Sequence, residues 1–99
     1  MITEIATITI DPSRADAFEA AVAQAAPTFR TAEGCHGMAL ERGIEDVGRY
    51  RLLVHWESVD HHMVTFRQSD GFQVWRTLAS PFFLAPPVVE HSAEIARYF

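Results

Sequence analysis

The chain has 99 residues, of which 48% are hydrophobic and 21% charged, with a formal net charge of −5. These are the proportions of one folded domain, spanning residues 1–99, and they exclude an intrinsically disordered chain. The eight basic residues are all arginines, scattered except for Arg49 and Arg51. That leaves no basic stripe for a phosphate backbone and no expectation of nucleic-acid binding.

Ile2 to Ile10 reads as a strand, with isoleucine and threonine alternating near its end. Asp11-Pro12-Ser13 stops it: Asp11 or Ser13 can cap a helix, and Pro12 suits a first helical turn. Residues 14 to 26 are alanine-rich and strongly helical, with Phe18, Val22, Ala25 and Phe29 on one face. Pro27 predicts a kink or a fresh turn of helix. Glu33-Gly34-Cys35-His36-Gly37 is a turn, followed by a short strand from Met38 to Ile44. Glu45-Asp46-Val47-Gly48 then closes a hairpin onto a strand from Arg49 to Glu57.

On that third strand Tyr50, Leu52, Val54 and Trp56 share a face that belongs under helices, and Arg51, Leu53, His55 and Glu57 share the other. Ser58 caps a helix whose buried stripe is Val59, His62 or Met63, and Phe66. Ser69-Asp70-Gly71 breaks it and caps the next, whose apolar face is Phe72, Trp75, Leu78 and Ala79 and which Pro81 ends. Pro86-Pro87 leads into a last strand, Val88 to Ile95.

This order predicts an α+β fold of the ferredoxin-like βαββαβ kind, a four-stranded antiparallel sheet with helices on one face. The other face would carry Ile5, Leu53, Val89 and Ile95, too apolar to stay wet. A homodimer covering it is the simplest solution. No apolar run approaches the roughly 18 residues of a transmembrane helix, so no membrane partner is expected. The N-terminal Met1-Ile2-Thr3-Glu4 has no signal-peptide character, so the expected compartment is the cytoplasm.

Ala32-Glu33-Gly34-Cys35, the hairpin, His55-Trp56-Glu57-Ser58, and Ser69-Asp70-Gly71-Phe72 follow one another along the chain. In that succession the sequence resembles the antibiotic biosynthesis monooxygenase family over nearly its whole length. Many members place a proline between the Glu and Gly of the turn, and this chain does not. From Trp56 onward it is similar to a subgroup sharing Asp60, His62, Phe66-Arg67, Ser69, Phe72, Trp75-Arg76, Phe82-Phe83, Pro87 and Glu90-His91.

The resemblance implies a dimeric α+β barrel. It also implies one of several activities: oxidation of polycyclic phenols or anthrones by oxygen without metal or flavin, handling of quinols, or opening of heme by an Asn, Trp and His triad. Some members have no demonstrated reaction. Aligned on Ser69-Asp70-Gly71-Phe72, the triad positions fall on about Ala6, on Phe66 and on Arg76, and the chain has no asparagine. Heme cleavage of that kind is therefore not expected.

Other chemistries are excluded by residue type. Lysine is absent, so no Schiff base or pyridoxal-phosphate anchor can form. The lone Cys35 allows neither an intrachain disulfide nor a cysteine-based zinc cluster. The five histidines have no metal-ligand spacing, Ser13, Ser58, Ser69 and Ser80 fall at helix caps or ends, and no cofactor is called for.

His62 is the candidate general base, or else a helix histidine satisfied by backbone or water. Trp56, Phe66 and Trp75 would wall a flat aromatic ligand, or simply fill the core. His55 and His91, assigned to the semi-polar sheet face, either meet a ligand in the barrel interior or lie at the dimer interface. Arg67 and Arg76 would hold an anionic oxygen of substrate, or pair with Asp70 and Glu90. Phe82-Phe83-Leu84 is a pocket lid or a dimer contact. The expected activity is a cofactor-independent monooxygenase or quinol oxidase acting on a flat phenol, anthrone or quinol. The alternatives are a non-catalytic small-molecule-binding or stress-associated dimeric module, and heme binding without cleavage.

Overall fold

A computed structural model describes residues 1–99. Strand β1 (Ile2–Thr9) is followed by a short 3-10 turn (Pro12–Arg14) and helix α1 (Ala15–Arg30). Strands β2 (Cys35–Arg42) and β3 (Arg49–Trp56) form the hairpin. A π-helical turn (His61–Phe66), helix α2 (Asp70–Ala79), a second 3-10 turn (Ser80–Phe82) and strand β4 (Val88–Ser92) complete the order. The sheet runs β2-β3-β1-β4, with every neighbouring pair antiparallel, which is the predicted ferredoxin-like arrangement. No helix is long and apolar enough to cross a membrane.

The elements end where side chains satisfy the backbone. Asp11 accepts from the Ser13 amide ahead of α1, and Ser69 accepts from the Phe72 amide to cap α2. α1 runs through Pro27 to Arg30, held by the packed face Phe18, Val22, Ala25 and Phe29, so no fresh helix starts there. β2 begins three residues before the predicted Met38 and stops before Ile44, which is 88% exposed.

The core lies between the helices and one sheet face. On β1 that face carries Ala6 and Ile8, and on β3 it carries Tyr50, Leu52, Val54 and Trp56, all buried. Phe18 packs edge-on against Tyr50, and Phe29 against Trp75.

The register of β4 corrects one part of the sequence reading. Ala6 lies opposite Val89, and Glu4 opposite His91. Residues directly opposite in an antiparallel pair share a face. Val89 and His91 therefore sit on the helix side, not on the open face. Ile95 lies beyond the end of β4 and is 95% exposed. The open face keeps Ile5, Leu53 and Ala39 in one row across β1, β3 and β2, flanked by Thr3, Thr7, Arg51 and His55.

Candidate functional site

Period-two alternation puts Glu4 on the same side of β1 as Ala6 and Ile8, so its carboxyl is carried into the core. Glu4 retains 5% of its surface. A carboxyl in such a place needs partners, and three elements supply them. From the end of β3, Trp56 Nε1 donates to Glu4 Oε1 at 2.9 Å. From the π-helical turn, His62 Nε2 lies 3.2 Å from the same oxygen. From β4, directly opposite Glu4, His91 Nε2 is 2.9 Å from His62 Nδ1. Glu4, His62 and His91 thus form one continuous hydrogen-bonded chain leading from the core to a half-buried histidine.

The π-helical turn spaces His62 and Phe66 so that both point inward, while Val59 and Met63 are 41% and 37% exposed. Such turns are uncommon and frequently mark functional positions. The imidazole of His62 stacks on Trp56, with centroids 5.5 Å apart and planes 16° from parallel. Phe66 packs on Trp56 with centroids 5.2 Å apart and meets Phe29 and Phe72.

The low polarity of this environment sets the charge states. Burial pushes the Glu4 carboxyl up to about 7, although the Trp56 N–H and the Arg67 charge pull it back. Burial pushes His62 down to about 4, and the neighbouring His91 and Arg67 add to that. At neutral pH His62 is an uncharged imidazole, so its contact with Glu4 is a hydrogen bond rather than an ion pair.

The predicted site residues divide into those the fold assembles and those it separates. His62, Trp56, Phe66 and His91 come together. Arg67 is exposed, with its guanidinium 5.9 Å over Phe72, and acts on the cluster only through its charge. Arg76 also lies over Phe72, at 6.0 Å, and neither arginine pairs with Asp70 or Glu90. Trp75 packs on Phe29 and Phe83. His55 is on the opposite face of the sheet, bonded through Nδ1 to Thr3 Oγ1 at 3.1 Å. His61 is tied locally, its Nδ1 2.7 Å from Ser58 Oγ.

Glu4 is not among the sequence candidates. Its signal was available: it shares strand parity with Ile2, Ala6, Ile8 and Ile10, an acidic residue on an otherwise apolar face. A surface groove of about 640 Å³ lies at the other edge of the sheet between α1 and β2. It is lined by Val22, Ala26, Arg30, Cys35 and Met38 and contains none of the clustered residues. No group of three His, Cys, Asp or Glu side chains is arranged to hold a metal ion.

The profile of the Antibiotic biosynthesis monooxygenase family matches residues 1–78. The chain belongs to this family. The uncharacterized YczJ protein of Bacillus subtilis is 34% identical over 95 residues, which cover 96% of this chain and 100% of YczJ. A crystal structure from Bordetella bronchiseptica carrying the same family description is 54% identical, with a TM-score of 0.93 over 96% of this chain and 97% of that one. One from Caulobacter crescentus, at 24% identity and a TM-score of 0.82 over 96% and 90%, shares the fold. Glu4, Trp56 and His62 lie inside the segment that matches the family and His91 lies beyond it.

Proposed function

We propose that this protein is a cofactor-independent oxygenase or quinol oxidase acting on a flat, electron-rich phenol, anthrone or quinol, with His62 central to removal of the substrate proton. The observation that carries this reading is the neutral imidazole of His62, stacked on Trp56 and held between Glu4 and His91. Deprotonation turns such a substrate into an anion able to reduce molecular oxygen directly. For an anthrone, one oxygen atom ends in the new carbonyl and the other in water. For a quinol, two electrons and two protons pass to oxygen, giving quinone and hydrogen peroxide. The protein's task is to hold the substrate against an apolar wall and to accept its proton.

The working unit in this reading is a cytoplasmic homodimer joined through the open sheet face, where Ile5, Leu53 and Ala39 form an apolar row. A second reading, a binding module without chemistry, is favoured by the packing. Trp56 is fully buried and Trp75 is 8% exposed, so both rings already have protein partners.

Oxygen uptake by the purified protein with a panel of reduced quinols and anthrones separates the two, with His62→Ala alongside. The oxygenase reading expects uptake well above the spontaneous rate that collapses in the variant. Uptake retained by the variant removes His62 from the mechanism, and no acceleration across the panel favours the binding module.

A further inference from the structure

We propose that Glu4, His62 and His91 form a proton relay in which His91 takes the proton from the substrate and Glu4 ends by holding it. The proposal rests on the oxygenase reading for the identity of the proton donor and on the geometry for the path. His91 Nε2 is 2.9 Å from His62 Nδ1, and His62 Nε2 is 3.2 Å from Glu4 Oε1. His62 therefore uses both nitrogens, Nε2 toward Glu4 and Nδ1 toward His91, whereas His91 uses only Nε2 and its Nδ1 is left over. His91 is also the half-exposed member of the three, while the side chains of His62 and Glu4 keep 4% and 6% of their surface.

The protons balance along this path. Before transfer, Glu4 is a carboxylate that accepts from Nε2–H of His62, and His62 Nδ1 accepts from Nε2–H of His91. A substrate proton arriving at His91 Nδ1 releases the Nε2 proton of His91 to His62 Nδ1. His62 then releases its own Nε2 proton to Glu4. Afterwards Glu4 is a carboxylic acid donating to His62 Nε2, and His62 Nδ1–H donates to His91 Nε2. Both hydrogen bonds between the three residues survive with their directions reversed, and neither histidine keeps a charge. The Trp56 N–H donates to Glu4 Oε1 in both states and fixes the carboxyl. This explains why an imidazole made weakly basic by burial can still sit on the path: it conducts the proton instead of storing it. Glu4, near 7, is the group suited to storing it at neutral pH.

The charged and titratable groups facing the path are few. Arg67 acts on both Glu4 and His62, and Cys35 feels the charge of Glu4. Burial raises the Cys35 thiol, so it stays protonated over the range in which Glu4 titrates.

The test is nitrogen-15 NMR of the histidine side chains in ligand-free protein between about pH 5.5 and 8.5, a window in which His62 stays uncharged. The relay requires the protonated nitrogen of His62 to switch from Nδ1 to Nε2 as pH rises, with a midpoint near 7. Glu4→Gln must abolish the switch. Trp56→Phe, which removes the donor that stabilises the carboxylate, must move the midpoint upward, and it serves if Glu4→Gln does not fold. A His62 tautomer that stays constant in the native protein, or one that switches identically in Glu4→Gln, overturns the relay even if oxygen uptake is observed. A switch in a native protein that consumes no oxygen supports the proton path and refutes the oxygenase reading alone.

Discussion

Glu4→Gln should make the protein less sensitive to alkaline pH, and the size of the effect follows from where Glu4 lies. Its carboxyl ordinarily titrates near 4.5 and is raised in the fold to about 7 by burial. A group that binds its proton more tightly in the native state contributes stability that is fully present below 4.5 and is lost as pH rises through about 7. At about 1.36 kcal/mol per pH unit the whole loss is about 3 kcal/mol. Most of it, about 2–3 kcal/mol, falls between about pH 5 and pH 8.5. His62 works in the opposite sense. It is lowered from 6.5 to about 4, so its contribution is present above 6.5 and is lost as pH falls through about 4. In the native protein the two opposing slopes make stability nearly flat between 4.5 and 6.5, with a decline on the alkaline side. In the Glu4→Gln variant only the histidine slope remains, and the alkaline decline disappears. Urea unfolding followed by the fluorescence of the two buried tryptophans measures this at the two pH values. It is done at one protein concentration because association of copies would make the midpoint depend on it. The gap between variant and native should widen in favour of the variant by about 2–3 kcal/mol from about pH 5 to pH 8.5. Parallel pH dependences would refute the argument that the buried carboxyl sets this response.

Two further outcomes follow from the same structure. Gly34 has a φ of +80°, and a Cβ there would overlap the ring of His61; Gly34→Ala should cost about 1–3 kcal/mol in thermal or urea unfolding and detach His61 from Ser58, whereas an unchanged melting temperature would show that the turn relaxes freely. Leu53→Arg places a charge in the apolar row of the open sheet face; under the proposed homodimer, sedimentation velocity should show a dimer for the native protein and a monomer for the variant, and a native monomer or a variant that still pairs would refute association through this face.

The fold was readable because its signals are redundant. The β3 face Tyr50, Leu52, Val54, Trp56 and the α1 face Phe18, Val22, Ala25, Phe29 each repeat a period over several residues, and packing merely confirms the pattern. Caps reinforced it, since Ser69 ends one segment and starts the next in a single residue. The limits were at edges with no such repetition. The run from Val88 to Ile95 alternates too weakly to say where it stops, and only pairing with β1 limits the strand to Ser92. The π-helical turn was invisible for a related reason. An ordinary helical stripe through Val59, His62 and Phe66 fits the letters, but Val59, ahead of the π-helical turn, and Met63, within it, are exposed to solvent.

The site was legible only in halves because each half depends on a register that the sequence does not state. His62 could be singled out from its helical neighbours alone, and Trp56 from the β3 alternation. His91 could not be assigned, because a strand's parity has meaning only relative to its partner and one residue of slip exchanges the two faces. Placed by parity alone, His91 joins His55 on the open face. Paired with Glu4, it lies on the other side of the sheet and within 2.9 Å of His62. Glu4 was obscured by the opposite circumstance, since its parity was plain but an acidic residue near a chain terminus reads as solvent-exposed. A carboxyl in that position is tolerable only if donors reach it, and the donors come from β3 and the π-helical turn, more than fifty residues away in sequence. The cluster is therefore a property of the β1 register with its two neighbours, and a substitution that shifts β4 by one residue would dismantle it without touching any of its members.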